Sequence, residues 1–382
     1  MNRFVSTALA LAAVGSAANA GTGDNEWLEL DSEINGLAST LQPSQDGTGW
    51  AALIRAVYTH SSDDIATGGG SDVSGFNFND VDLAFWGSQG PYMWRISTDI
   101  DSNEAGVASS AEFTLEDAYV AWDCGGYFRA QMGQFKPRIT RSNSVDPEHL
   151  VFIDRSVIGS AGDYWDNGIG VSGTWEQLNW YASVLNGSNG QISDHTYVLR
   201  GEWNLGSGAG MYEGAMGSSD SLNATIGFTF LEDDTFDGAD DIDGDGDTDN
   251  LVYILDFHGS ISQVGFGGEV ASFDNDFAAT TDEDFSNLDT PLVLADDSTP
   301  WGAYVSYLLN PEWEFAVRYE DLDNEELAGG TIAGEDNTVL SVAANWYRGN
   351  TAGKWQAQWT DFDGETEDGS ILEVGYSIGA SR

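Results

Sequence analysis

Acidic side chains between residues 241 and 249 have the spacing that binds a hard cation. The segment reads Asp-Ile-Asp-Gly-Asp-Gly-Asp-Thr-Asp, which matches the first half of a calcium loop. Alternate carboxylates of such a loop converge on one ion. We therefore predict calcium ligands at five aspartates: Asp241, Asp243, Asp245, Asp247 and Asp249. Val252 stands where a bidentate acid would complete the loop, so the alternative is a solvated acidic loop that holds divalent ions loosely.

Catalytic chemistry has no comparable pattern. None of the four histidines lies at a metal-binding spacing or beside a serine or cysteine nucleophile motif. Asp256 and His258 fall on one face of a predicted strand, but neighbouring polar groups are ordinary on a wet face. The single cysteine, Cys124, can form neither an internal disulfide nor a thiolate metal cluster. We expect no enzymatic activity and no cofactor other than calcium.

Positive charge is scarce in this chain. The 382 residues include 13 Lys and Arg against 63 Asp and Glu, which gives a formal net charge of −50. Such a balance excludes nucleic acid as a partner, because phosphate contacts need basic side chains. An aromatic fraction of 12 % indicates a folded chain rather than a disordered acidic one. The few basic residues are therefore informative wherever they cluster.

The N-terminal 49 residues divide into two segments. Residues 1–20 combine a basic start, an apolar stretch and a small-residue cleavage site, which predicts an export signal peptide. Residues 21–49 form a separate segment, expected in the periplasm. Its apolar residues repeat at spacings of three and four: Trp27, Leu30, Ile34, Leu37 and Leu41. Two heptads fit either a short coiled coil or a short amphipathic helix that lies on its own protein.

From residue 50 onward, apolar and polar residues alternate with a period of two. Sixteen segments show this alternation: 50–60, 75–86, 91–100, 111–122, 126–135, 166–174, 178–186, 194–205, 222–230, 250–259, 263–272, 300–309, 312–321, 337–348, 353–360 and 370–379. Their connections alternate mainly between short and long, although 206–221 is long where a short turn is expected. Tryptophans gather near the segment ends, which favours a membrane barrel over a soluble sandwich.

These features predict an all-β fold, a 16-stranded antiparallel transmembrane β-barrel over 50–382 with a short N-terminal helical segment. An even strand number with alternating short turns and long loops is typical of outer-membrane barrels. Closure of sixteen strands leaves a water-filled lumen. We therefore expect a channel in the bacterial outer membrane for passive diffusion of small hydrophilic solutes and ions. Its long loops are expected to face outward and its short turns the periplasm.

The basic residues fall into two groups. The alternation directs five arginines into the lumen: Arg55, Arg95, Arg129, Arg200 and Arg318. The connection 136–165 contains four more basic residues: Lys136, Arg138, Arg141 and Arg155. The same connection also contains four acidic residues. We predict that all nine line the pore or its constriction. The other long connections, 61–74, 101–110, 231–249, 273–299, 322–336 and 361–369, hold 33 acidic residues and no Lys or Arg.

Five short motifs occur in order between residues 110 and 205. They read LEDAYVAW from Leu115, FRAQMGQFKP from Phe128, HLVFIDRS from His149, NGIGV from Asn167 and LNGSNG from Leu185. This series resembles the phosphate-selective porin O and P family. The resemblance implies a homotrimer in outer-membrane lipid whose third loop, here near 136–165, folds inward and constricts the pore. It also implies passage of anions such as phosphate. The alternative function is a calcium-dependent structural or adhesive surface barrel.

Overall fold

The computed structural model describes residues 47–62, 73–101, 112–125, 128–187, 195–233, 250–274, 299–322, 338–348, 353–363 and 369–381. Residues 1–46 lie outside this set, so the signal peptide and the N-terminal helical segment remain predictions. The five aspartates of the predicted calcium loop also lie outside the described residues.

Sixteen strands form, as the alternation predicts. Their bounds are β1 (Gly47–Ser61), β2 (Val73–Gln89), β3 (Tyr92–Asp101), β4 (Glu112–Asp123), β5 (Arg129–Phe135), β6 (Asp166–Trp175), β7 (Leu178–Leu185), β8 (Thr196–Leu205), β9 (Asn223–Asp233), β10 (Asn250–Ile261), β11 (Val264–Asp274), β12 (Trp301–Asn310), β13 (Trp313–Asp321), β14 (Thr338–Tyr347), β15 (Gly353–Asp363) and β16 (Gly369–Ser381). The first strand begins three residues before its predicted start.

The strands close into one antiparallel barrel. Each strand pairs with its neighbours in sequence, and β1 pairs with β16 from Ala51 opposite Ser381 to Ser61 opposite Ile371. Closure pairs the backbone N–H and C=O groups of every strand with another strand, which a sheet in hydrocarbon requires. The predicted fold class is therefore confirmed.

Successive side chains point to opposite faces of the barrel wall. On β12, Trp301, Ala303 and Val305 are exposed on the outside, whereas Tyr304 and Ser306 are buried inside. The same alternation runs along β13 and β15. The outer surface is therefore apolar and suited to lipid.

Aromatic rings lie on the outer surface near both rims. Trp313 stacks on Trp346 with ring centroids 6.0 Å apart at the short-turn end, and Trp301 lies 5.6 Å from Tyr319 at the other end. Amphipathic rings at these depths match the two interfaces of a membrane. No helix in the described part of the chain is long and apolar enough to span a membrane.

Two connections enter the barrel. The first, residues 136–165 between β5 and β6, is called the inner loop here; it contains α1 (Arg141–Ser144), a 3₁₀ turn (Pro147–His149) and α2 (Val157–Ala161). The second is the β8–β9 connection, residues 206–222. Apolar clusters join the inner loop to the barrel wall, for example Phe152 with Tyr304 and Ala343. The packed core of the protein therefore lies inside the barrel, on one side of the lumen.

Candidate functional site

An extended stretch of the inner loop, Leu150–Ile153, lies against the inner wall. Its four side chains are at most 2 % exposed. All four of its backbone carbonyl groups and two of its backbone N–H groups bond to buried side chains. Because an unpaired backbone group inside a protein costs free energy, each needs such a partner.

Side chains of β14 and β15 supply most of these partners. Asn345 Nδ2 donates to the carbonyl of Val151 at 2.8 Å, and Lys354 Nζ donates to that of Leu150 at 2.6 Å. Gln356 donates to the carbonyl of Phe152 at 3.2 Å. Gln358 Oε1 accepts from the N–H of Ile153 at 2.7 Å. We call these four residues the polar ladder.

Sequence reasoning missed the polar ladder. Lys354, Gln356 and Gln358 occupy alternate positions of β15, so their inward direction could have been read from the sequence. Their role could not, because alternation does not show which part of the wall a loop covers.

Three arginines predicted to line the pore lie beneath the inner loop instead. Arg55, Arg200 and Arg318 point inward, as the alternation predicts, but each is only 3–5 % exposed. Arg55 donates to the carbonyl of Ile153 at 2.5 Å, and Arg318 to that of Asp154 at 3.0 Å. They therefore hold the loop rather than face open water, which corrects the prediction for these three.

Arg200 is the most heavily partnered of the three. It donates to the carbonyl of Ile139 at 2.8 Å and makes two bonds of 2.6 and 3.0 Å to Asp256. Its Nε also lies 2.9 Å from Glu202. Gly227 makes room for the guanidinium, since an added Cβ there would overlap it. The arginine thus neutralises two buried acids and binds the loop.

Within the inner loop, Arg155 and Lys136 converge on Asp163. Arg155 Nε lies 2.6 Å from the Asp163 carboxylate, and Lys136 forms an ion pair with the same group. Arg155 also donates to the carbonyl oxygens of Ser142 and Val145 and is 9 % exposed. Burial lowers the pKa of the Arg155 guanidinium below its ordinary value, which still leaves it charged. Arg155 therefore stabilises the fold of the inner loop. The prediction that it lines the pore is wrong, because its side chain is buried among residues of the loop.

The β8–β9 connection meets the inner loop inside the barrel. Arg141 donates to the carbonyl oxygens of Gly210 and Met211, the second at 3.2 Å. From the connection, Glu213 accepts a bond from the N–H of Val151 at 2.9 Å, and its own N–H donates to the carbonyl of His149 at 3.1 Å. Arg141 thus joins two inward-folded segments.

Exposure inside the barrel is strongly one-sided. Inward side chains of β8–β16 and of the middle of β1 are mostly buried. Most of those on β2–β7 keep partial exposure: Asp80, Asp82, Arg95, Asp99, Asp117, Tyr119, Arg129, Gln131, Ser172, Asn179, Tyr181 and Ser183. Since these side chains face the lumen, the space left by the inner loop lies against β2–β7. We call this surface the open wall.

Basic and acidic groups both reach the open wall. Arg95 lies 2.6 Å from Asp117, and Arg138 lies 3.6 Å from Glu202 with its guanidinium over the ring of Tyr181. Arg129 donates to the hydroxyl of Tyr119 at 3.1 Å. These three arginines and Lys136 remain the candidates for contact with a passing ion.

Three acids of the same wall have no direct basic partner among the described residues: Asp82, Asp99 and Glu116. They lie on β2, β3 and β4, next to one another in the sheet. Unpaired acids therefore outnumber unpaired bases along the open wall.

One group of metal-ligating types occurs in the described part of the chain. Asp146, Glu148 and His149 offer ligand atoms that all lie within 4.8 Å of one another at the 3₁₀ turn of the inner loop. The carboxylate of Asp146 lies 3.7 Å from Nδ1 of His149, so the two already contact each other. This group was not predicted as a metal site.

Solved structures share the fold at low sequence identity. Acinetobacter baumannii OccAB4 aligns at a TM-score of 0.56 and 10 % identity, over 89 % of this chain and 100 % of its own. Pseudomonas putida OprB, in a high-pH structure, aligns at a TM-score of 0.60 and 7 % identity, over 92 % of this chain and 97 % of its own. A loop-deletion mutant of Vibrio cholerae OmpT, described as an outer membrane protein, aligns at a TM-score of 0.56 and 12 % identity. The alignment covers 88 % of this chain and 99 % of the OmpT chain.

The sequence comparisons give the family. No curated protein matches the sequence. The family described as phosphate-selective porin O and P matches residues 64–368, which is most of the chain. Together with the closed sixteen-stranded barrel, this match identifies the chain as a member of the phosphate-selective porin O and P family, a channel for small solutes in the bacterial outer membrane.

Proposed function

We propose that the channel conducts small hydrophilic solutes along the open wall and favours cations over anions. The observation that carries this proposal is the charge balance there. Asp82, Asp99 and Glu116 have no direct basic partner, whereas Arg95 and Lys136 are paired with acids. Arg129 donates to the hydroxyl of Tyr119.

Electrostatics in a narrow lumen favours the majority charge. Fixed charges beside a low-dielectric wall are weakly screened, so unpaired carboxylates concentrate cations near them. The outward connections add to this field, because six of them carry 33 acids and no Lys or Arg. A cation approaching from outside would therefore meet negative charge before it reaches the open wall.

Anion passage, including phosphate, is the second candidate. The description of the family favours it, as do the partly exposed guanidinium groups of Arg129 and Arg138. Both stand beside tyrosines, Tyr119 and Tyr181, which can donate hydrogen bonds to an oxyanion. The sign of the ion preference separates the two candidates.

The positions of Asp256 and His258 argue against a hydrolytic site inside the barrel. Asp256 and His258, the pair with a shared inward face, are 0 % and 4 % exposed beneath the inner loop. Asp256 is already bonded to Arg200. A substrate in the lumen would have no access to either side chain.

We further propose a homotrimer surrounded by outer-membrane lipid. Support comes from the apolar outer face with aromatic rings at both rims, and from a solved relative, Vibrio cholerae OmpT, described in a trimer form. Light scattering of the detergent-solubilised protein should give the mass of three chains.

Reversal potential in a planar bilayer tests the proposed selectivity. With a tenfold KCl gradient across the membrane, we expect the sign that reports preferential flow of K⁺. A reversal potential of the opposite sign would replace the cation proposal by the anion candidate. An absence of conductance from correctly folded protein would contradict the channel itself.

A further inference from the structure

The β8–β9 connection is seventeen residues long, at the end of the barrel where other connections are short. It does not extend away from the rim. Ala215 is 0 % exposed and Glu213 only 4 %, so this part of the connection lies inside the barrel. It therefore occupies lumen space from the periplasmic side, while the inner loop enters from the other side.

Wall residues hold the connection in place. Glu314 on β13 accepts a bond from the N–H of Ala215 at 2.5 Å, and its other oxygen accepts from the hydroxyl of Tyr347 at 2.7 Å. Tyr304 on β12 donates to the carbonyl of Glu213. Gly265 on β11 makes this approach possible, since an added Cβ would overlap the backbone of Gly214. The connection is thus fixed by at least three strands.

The same short segment also holds the inner loop. Glu213 exchanges two bonds with it, accepting from the N–H of Val151 and donating to the carbonyl of His149. Tyr212 packs edge-on against His149, with ring centroids 4.8 Å apart. The carbonyl oxygens of Gly210 and Met211 receive Arg141 of the inner loop. One side of the connection is therefore bound to the wall and the other to the loop.

We propose that the β8–β9 connection sets the position of the inner loop from the periplasmic side, with Glu213 as the positioning residue. Without Glu213, the N–H of Val151 would be buried with no partner, which is costly enough to drive local rearrangement. The inner loop around Val151 narrows the lumen, so a rearrangement of this loop should change the current through the channel. This inference rests on the proposed function only in requiring that the barrel conducts ions, and it does not depend on whether cations or anions are preferred.

Single-channel recording of Glu213→Ala and Glu213→Gln tests the proposal. The amide of Gln keeps an oxygen that can accept from Val151, whereas Ala keeps none. We expect Glu213→Ala to raise the fraction of time spent at non-native conductance levels about tenfold, since leaving the buried N–H of Val151 without its partner commonly shifts an equilibrium that far. Glu213→Gln should behave as the parent protein.

Two further variants keep the test decisive. Glu312→Ala removes an exposed acid from the turn between β12 and β13, and it should leave the current unchanged. Tyr304→Phe removes only the hydroxyl that donates to Glu213, and it should raise the current fluctuations even if Glu213→Ala fails to fold. Steady parental currents from Glu213→Ala or Tyr304→Phe would overturn the proposal. Equal disturbance by Ala and Gln at 213 would also overturn it, because charge rather than positioning would then be responsible.

The reversal potential is not the readout here. It should keep the sign of the parent channel in Glu213→Gln, whichever sign that is. A failed selectivity proposal and a failed positioning proposal therefore give different results.

Discussion

The ammonium nitrogen of Lys354 lies 2.6 Å from the carbonyl oxygen of Leu150, although 204 residues separate the two in the sequence. Lys354 is 1 % exposed and Leu150 is 2 % exposed. A buried cation is costly unless it is well partnered. Here the partner is the backbone of the inner loop, so this inward-pointing side chain holds the loop in place.

Replacing Lys354 by methionine should therefore loosen the inner loop and leave the barrel closed. The change removes one bond to Leu150 and leaves Gln356, at 3.3 Å, as the remaining donor to that carbonyl. We expect a loss of about 1–3 kcal/mol in the free energy of unfolding and a noisier single-channel current. Chemical denaturation and bilayer recording measure the two effects. Unchanged stability and current would show that the ladder is dispensable.

Arg200→Met should be more damaging. It would leave Asp256 and Glu202 buried without their shared cation, and breaking a buried ion pair on one side costs about 3–5 kcal/mol. Arg348→Met, which removes an exposed arginine beyond the end of β14, is the matched control and should cost little. Thermal unfolding in detergent gives the comparison. Equal melting temperatures for the two variants would contradict the buried role of Arg200.

Removing positive or negative charge from the open wall should move the ion preference in opposite directions. Arg129→Ala combined with Arg138→Ala removes positive charge, so we expect a stronger preference for cations. Asp82→Asn combined with Asp99→Asn should shift the preference towards anions. Reversal potentials under one KCl gradient, at low salt where screening is weakest, report both changes. If neither pair moves the potential, these residues do not border the conducting path.

Calcium binding by the loop 241–249 remains a prediction from sequence. Asp243→Ala combined with Asp245→Ala should abolish the heat of calcium binding in calorimetry, because both carboxylates belong to the predicted ligand set. Asp282→Ala combined with Asp284→Ala removes the same charge from another outward connection and serves as the control. Equal heats for all three proteins would mean that the acidic loops hold calcium only loosely.

The strands could be predicted because their signal is local. Period-two alternation predicts each strand and the direction of each side chain, and Arg55, Arg200 and Arg318 do point into the barrel. Closure follows from the number of strands and from the absence of edges in hydrocarbon. The inward position of the inner loop was implied by the family resemblance rather than by any periodic pattern.

Period-two alternation could not predict that the inner loop and the β8–β9 connection cover one half of the inner barrel wall. Which inward side chains face water depends on where the inner loop and the β8–β9 connection lie, and no local pattern states that. Two signals were present: the unusual length of 206–221, and inward glycines at Gly265 and Gly267 of β11. Glycines leave room for an approaching backbone, but they do not identify the segment that fills it.

Thiol block of engineered cysteines tests the central claim, that solutes pass along β2–β7, most directly. After replacing Cys124 by serine, Ser183→Cys places a thiol on the open wall, and Ser341→Cys places one on β14 beneath the inner loop, at a position that is 0 % exposed. A charged methanethiosulfonate reagent added during bilayer recording should reduce the current through Ser183→Cys and leave Ser341→Cys unaffected. Block at Ser341→Cys with none at Ser183→Cys would place the path on the opposite side and contradict the account.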